Sequence, residues 1–325
     1  MVTSDVPPPG VEGRTMRTQE ITFTAADGIE LVGTLELPDG HGRHPAALLL
    51  VGSGEVDRDS DHRKLPLGVT RELATTLADA GIASLRFDKR GVGASGGDFL
   101  TTTFDDARED ATHALAALRT HPAIDGDNVL VIGHSEGAIH ALALAAADPT
   151  LAGLGVLAGP AVTGETTMLW QAEQIAPTLP AFVRGLIRLL RQTPERVQTK
   201  VFAKVRATDA PVVRVQGRRL NAGWLRGFLD HDPATDLARV SVPVFALTGD
   251  RDLQVNPDDL DRMHALIGAP LEVHRPMQVN HVLRHTEDVG APSEYAKQVK
   301  AGQPLDPQVL DALTTWATTQ LAVPA

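Results

Sequence analysis

Ser135 stands between two glycines in Gly133-His134-Ser135-Glu136-Gly137, directly behind the apolar run 129–132 and ahead of an alanine-rich stretch with helical spacing to about Ala147. A hydroxyl is a poor nucleophile until a base takes its proton, so the chain must also carry a base and a group to orient it. Two later segments qualify. Asp250 and Asp252 follow the apolar run PVFALTG (243–249), and His281 follows LEVHRP (271–276). Serine, acid and histidine thus come in chain order, each just past a predicted strand, which is the arrangement for acyl transfer through a serine. Asp250 and Asp252 compete for the acid, since Asp250 could equally hold its turn by accepting from backbone amides.

Other residues offer rival chemistry. A second G-x-S-x-G, Gly93 to Gly97, places Ser95 seven residues past its strand, with no apolar helical run behind it; it reads as a flexible loop serine. Gly91, Gly93 and Gly96 also match G-x-G-x-x-G. A dinucleotide site needs a helix opening inside those glycines and an acid about 20 residues on; instead GGDFLTTTF follows. His274 falls inside the last predicted core strand, and His285 lies further into a polar stretch.

The elements that must position these groups alternate. ITFTAADGIELVGTLELP reads as a β-hairpin around Asp27-Gly28. AALLLVGSG (46–54), IASLRFD (82–88), NVLVIG (128–133), LAGLGVLAG (151–159), PVFALTG and LEVHRP read as strands. Helical spacing over 69–81, 104–121, the stretch behind GHSEG to about Ala147, 257–268 and 306–321 separates or follows them. This alternation predicts a mostly parallel sheet covered by helices. Residues 160–235 break the rhythm: helical in character, holding Trp170 and Trp224, with Lys and Arg outnumbering Asp and Glu. They predict an inserted helical cap. The expected organisation is a loose Pro/Gly-rich arm (1–17), a core (18–159 and 236–325) and the cap (160–235).

Composition narrows the function. With 325 residues and 42% apolar residues, the chain can bury a large core. A net charge of −11 argues against a nucleic-acid partner. The absence of cysteine removes disulfides, thiolate metal sites and cysteine nucleophiles. The N-terminal stretch MVTSDVPPPGVEGRTMRTQE has no apolar core of signal-peptide length and no apolar run approaches a membrane span, so the expectation is a cytoplasmic protein without a membrane partner.

GHSEG on its strand and helix, LTGDRDLQV and VNH resemble the α/β-hydrolase superfamily. GSGEVDRD (52–59), RFDKRGVGASGG (86–97), GHSEGA and LAGPA together resemble a bacterial esterase group related to serine-aminopeptidase-like hydrolases. The resemblance covers roughly 20–160 and 240–285, and implies Asp252 as the acid and His281 as the base. It departs from the family pattern at Val51, where a histidine usually precedes the oxyanion-loop glycine.

The implied chemistry is ester cleavage through an acyl-enzyme intermediate, on a small-molecule acyl ester, with no metal or organic cofactor. The amide of Glu136 is one expected oxyanion donor; the second is that of Ser53, with Gly54 the alternative. The Glu136 side chain reads either as a contact for a polar substrate group or as an acid favourable at a helix N-terminus. Asp57-Arg58-Asp59 read as a charge pair shaping the oxyanion loop, and Asp88, Lys89 and Arg90 as holding the loop beside it. Trp170, Trp224, Leu186, Leu189 and Leu190 are candidate pocket residues, although packing of cap on core would explain them equally. A thioesterase or aminopeptidase would keep the same triad, and a hydrolase fold that only binds would need none of it. The sequence leaves the oligomeric state open.

Overall fold

The computed structural model describes residues 17–189 and 193–323. The hairpin β1 (Arg17–Thr24) and β2 (Glu30–Leu37) leads into β3 (His44–Leu50) and a two-residue ribbon, β4 (Asp61–His62) with β5 (Leu65–Pro66). There follow α1 (Val69–Asp79), β6 (Ala83–Phe87), α2 (Phe104–Thr120), β7 (Ile124–His134), α3 (Glu136–Ala147) and β8 (Gly153–Leu157). Between β8 and the next sheet strand come α4 (Gly164–Ile175), α5 (Ala181–Leu189), α6 (Pro194–Arg206), β9 (Val212–Val215), β10 (Arg218–Asn221), α7 (Ala222–Asp230) and α8 (Pro233–Leu237). The chain closes with β11 (Val244–Leu247), α9 (Asp259–Leu266), β12 (Leu271–His274), α10 (Pro292–Lys300) and α11 (Pro307–Gln320).

Eight strands form one sheet in the order β1-β2-β6-β3-β7-β8-β11-β12. From β6 to β12 every pairing is parallel; β1 and β2 are antiparallel. The mostly parallel sheet covered by helices is as expected. Parallel strands covered on both faces must be apolar on both, and Leu48, Leu85, Val131 and Leu154 on one side, with Leu49, Leu130, Ile132 and Phe245 on the other, are buried in two separate clusters. Each such side chain removed from water stabilises by about 2 kcal/mol. A third cluster, with Phe104, Ile139, Phe202, Leu225 and Phe228, joins the inserted segment to α2 and α3.

The register decides where the functional loops emerge. Leu50 pairs with Gly133, His134 with Leu157, Leu157 with Leu247 and Leu247 with His274. The C-terminal ends of these five strands therefore line up, and the loops after β3, β7, β8, β11 and β12 leave one rim as neighbours.

Several expectations need correction. Arg17, placed in the arm, opens β1, and the rest of that arm lies outside the described residues. The inserted segment is not wholly helical, because β9 and β10 pair across Gln216-Gly217, both at positive φ (49° and 81°), a type I′ signature. The boundary at 235 falls inside α8, and α10 was not anticipated. Ser95 is no flexible loop serine: it is buried, its Oγ donating to the Asp88 carbonyl at 2.7 Å and accepting from Val32 N–H at 2.9 Å. Among the described residues, no helix is long and apolar enough to cross a membrane.

Candidate active site

Ser135 occupies the turn between β7 and α3 at φ 57°, ψ −119°. A non-glycine residue there is strained and persists only where its surroundings over-determine it. Here they do. A Cβ on Gly133 would lie 2.1 Å from the Gly137 carbonyl oxygen, and one on Gly137 2.2 Å from that of Leu50. The two glycines let strand, helix and the neighbouring β3 close in together, and Ser135 N–H is held by the Leu157 carbonyl at 2.9 Å.

His281 Nε2 lies 3.2 Å from Ser135 Oγ, and Nδ1 lies 2.8 Å from Asp252 Oδ2. The other carboxylate oxygen, Oδ1, accepts from the amides of Gln254 at 2.7 Å and Val255 at 2.9 Å. Asp252 and His281 are 2% and 5% exposed, so the bond between them is shielded from water. With Nδ1–H donating to Asp252, Nε2 is left as the acceptor for the serine hydroxyl. Asp250 faces elsewhere, accepting from the Gln278 amide at 2.6 Å. His274 pairs with Glu272 at 2.7 Å, and His285 lies 3.5 Å from Asp306.

The loop after β3 runs beside the serine: a Cβ on Gly52 would come within 3.2 Å of Ser135 Cβ. Neither Ser53 N–H, Gly54 N–H nor Glu136 N–H donates to a protein acceptor among the described residues. Ser53 lines both cavities that touch Ser135, whereas Gly54 lines neither of them.

The Glu136 side chain is buried among protein partners: Trp224 Nε1–H donates to Oε1 at 2.8 Å, His140 Nε2 lies 3.3 Å away, and Lys89 Nζ lies 3.5 Å from Oε2. Burial alone would raise its pKa, but Lys89, His140 and the Trp224 N–H together hold it down at about 2. Of its two sequence readings, a free contact for substrate fits this environment poorly.

Three cavities meet here. One of about 210 Å³ is lined by Ser135, His281, Val56, Leu67, Val282 and Tyr295. One of about 90 Å³ is lined by Ser135, Ile139, Met168, Trp224, Phe228 and Gln254. The largest, about 420 Å³, touches Ser53 and Glu136 but not Ser135, and runs between core and inserted segment past Phe87, Phe99, Leu220 and Trp224. Gly54 and Trp224 therefore line cavity walls, while Trp170 lines none of the three. Leu189 is 78% exposed and points away from any pocket role. The side chains of Leu186 and Leu190 lie outside the described residues.

The charged triplets follow the expectation in part, their ion pairs reaching other segments rather than closing within a triplet. Arg58 pairs with Asp88, Asp59 with Arg86 and Arg71, and Asp57 accepts from the amides of Asp59 and Asp61. Asp88 and Arg90 do hold the glycine loop, through the Ala94 amide and the Asp110 carboxylate. Lys89 turns the other way, to the Gly52 carbonyl at 2.6 Å.

Other residues here carried no signal in the sequence. Gln254 accepts from Gln171 Nε2 of α4 at 3.1 Å and donates to the Tyr295 hydroxyl at 3.0 Å, tying the inserted segment to the acid loop. Burial, then the Asp252 charge, pushes the Tyr295 phenol up, so it stays a neutral hydrogen-bonding group. Only their distant partners mark them.

A strained serine on a strand-to-helix turn, in a parallel sheet wrapped by helices, defines an α/β hydrolase. Residues 67–286 match the family described as Serine aminopeptidase, S33, and the chain belongs to that family. Esterase EstD of Thermotoga maritima is 27% identical over 290 residues, covering 88% of this chain and 65% of its own length. The chain thus spans just under two thirds of that curated relative. Among solved structures, the α/β hydrolase GrgF from Penicillium sp. sh18 matches at TM-score 0.62 and 17% identity, covering 94% of this chain and 99% of its own. Est1E from Butyrivibrio proteoclasticus matches at TM-score 0.61 and 15% identity, covering 93% and 99%. At those identities the two structures show a shared fold.

Proposed function

We propose that the protein is a serine hydrolase cleaving carboxylic esters of small to medium size through an acyl-enzyme intermediate. The observation that carries the reading is the unbroken chain Asp252–His281–Ser135, bonded at 2.8 Å and 3.2 Å. The relationship to a protein named as an esterase supports ester over other acyl substrates.

In the first step Ser135 Oγ attacks the acyl carbon while its proton passes to His281 Nε2. Asp252 keeps the proton on Nδ1 in place and stabilises the imidazolium. The carbonyl oxygen, now negative, takes hydrogen bonds from the free amides of Ser53 and Glu136. Each such donor contributes about 3 kcal/mol of transition-state stabilisation. The tetrahedral intermediate collapses, the C–O bond to the leaving alcohol breaks, and His281 returns the proton to that oxygen. A water then repeats the sequence on the acyl-enzyme, releasing the acid and restoring Ser135. The cavities on either side of Ser135 would take the acyl and alcohol groups.

The family description raises an amide-cleaving alternative with the same triad, as a thioesterase would be. A panel of p-nitrophenyl esters, acyl thioesters and aminoacyl anilides, with a Ser135→Ala control, separates these. Esters turned over fastest, with activity and fluorophosphonate labelling both lost in Ser135→Ala, is the expected result. A wild type that neither turns over the panel nor takes the label would leave a fold that only binds.

A further inference from the structure

Lys89 borders the 420 Å³ cavity, yet lining that wall does not account for where its ammonium points. It lies just beyond β6, yet its ammonium crosses to the loop after β3 and donates to the Gly52 carbonyl at 2.6 Å. The Gly54 carbonyl and Glu136 Oε2 each lie 3.5 Å away. Its side chain is only 17% exposed, so this is no solvated surface lysine.

The Gly52 carbonyl and the Ser53 N–H are the two ends of one planar trans peptide and point in opposite directions. Holding the oxygen fixes where the N–H aims. A cation on that oxygen also draws electron density away from nitrogen, which strengthens the N–H as a donor. Among the described residues, no other side chain donates to this carbonyl. Glu136, whose own N–H is the other free donor beside Ser135, carries the carboxylate facing the same ammonium. One ammonium therefore bridges the two segments that bear the donors, by a hydrogen bond to Gly52 and an ion pair to Glu136.

We propose that Lys89 is a positioning residue for the oxyanion hole, fixing and polarising the Gly52–Ser53 peptide so that the Ser53 N–H faces the reacting carbonyl. This rests on the reading of Ser53 as a donor given above. The side chain acts through a peptide rather than on substrate, so its loss removes part of one donor's contribution.

The test uses the full chain with Lys89→Met and Lys89→Arg, a neutral p-nitrophenyl ester, and a trifluoromethyl ketone whose Ser135 adduct places an oxyanion at the same point. In Lys89→Met, kcat falls about 10- to 100-fold, less than the roughly 10²- to 10³-fold cost of losing a donor outright, while KM stays within about threefold. Ketone affinity falls by a similar factor, and Lys89→Arg recovers most of both. A lysine that only braced the loop would lower the melting temperature without that parallel loss. Folded Lys89→Met with kcat within about twofold of wild type, or with kcat lost and ketone affinity intact, overturns the proposal. So does a change confined to KM for esters bearing a carboxylate, which would make Lys89 a substrate contact. If Lys89→Met does not fold, Lys89→Gln serves: its amide can still donate to the Gly52 carbonyl but carries no charge, and intermediate values are expected, with wild-type values overturning the idea. A wild type without Ser135-dependent hydrolysis sinks the hydrolase reading itself, whereas an active wild type with an indifferent Lys89→Met sinks only the lysine's role.

Discussion

The His134 imidazole donates from Nε2 to the backbone carbonyl of His281 at 2.8 Å, the two rings standing 5.0 Å apart. The residue before Ser135 thus anchors the loop that carries His281, so the spacing between hydroxyl and imidazole depends on more than Ser135, His281 and Asp252 themselves. Burial, then the neighbouring His281, holds the His134 pKa down at about 4, which leaves it neutral with its proton on the nitrogen that donates.

That environment predicts how stability varies with pH. An unfolded histidine titrates near 6.5, so from about pH 6.5 down to 4 the unfolded chain binds a proton that folded His134 refuses. Stability should fall across that window by an amount on the order of 3 kcal/mol. Glu136, depressed to about 2, adds a second loss only below about pH 4.5. Urea unfolding at stepped pH should show the first limb flattened in His134→Gln; an unaltered slope would assign it to other groups.

Asp252→Asn should lower kcat by about 10³- to 10⁴-fold, since it spoils the tautomer that leaves Nε2 free. Asp250→Asn keeps an oxygen for the Gln278 amide and should cost at most about 1 kcal/mol of stability with turnover nearly intact. Steady-state kinetics on both variants tests the ranking; the reverse order would move the acid by two residues.

Gly137→Ala puts a methyl group 2.2 Å from the Leu50 carbonyl oxygen, while Gly268→Ala meets nothing within 4 Å. The first should destabilise by more than about 4 kcal/mol or prevent folding, and the second should stay within about 1 kcal/mol of wild type. Thermal melts decide it: a Gly137→Ala protein melting like wild type would mean the elbow can relax away from β3.

Trp224 walls both the 90 Å³ and the 420 Å³ cavities and stacks on Phe228 at 5.0 Å. Trp224→Ala should join the two spaces and raise kcat/KM for an octanoyl ester relative to an acetyl ester by about tenfold. A chain-length series of p-nitrophenyl esters measures this; an unchanged ratio would place the acyl group in the 210 Å³ cavity instead.

The elbow at Ser135 was legible in the sequence because everything that makes it is local: an apolar strand, two glycines and a helix within about 20 residues. The alternation of strands and helices was legible for the same reason. Local signals also existed for what was missed. The run PVVRVQGRRLN alternates about a Gln-Gly turn, as β9 and β10 require, and Pro292 with Glu294 opens α10. The choice between Asp250 and Asp252 was different. Two aspartates on one loop have the same spacing statistics, and the spacing alone left both open; a family resemblance pointed to Asp252, and the fold turns Asp252 toward His281 and Asp250 toward Gln278.

The fold class, and the candidate serine followed in chain order by acid and histidine, are readable without coordinates, because period, turn chemistry and chain order are written along the chain itself. Which side chains meet follows from packing in three dimensions. Lys89 reaches Gly52 across 37 positions, and His134 reaches the His281 carbonyl across 147. Such contacts follow from strand register and packing, which bring distant segments to one rim of the sheet and leave no trace in the spacing of either segment alone.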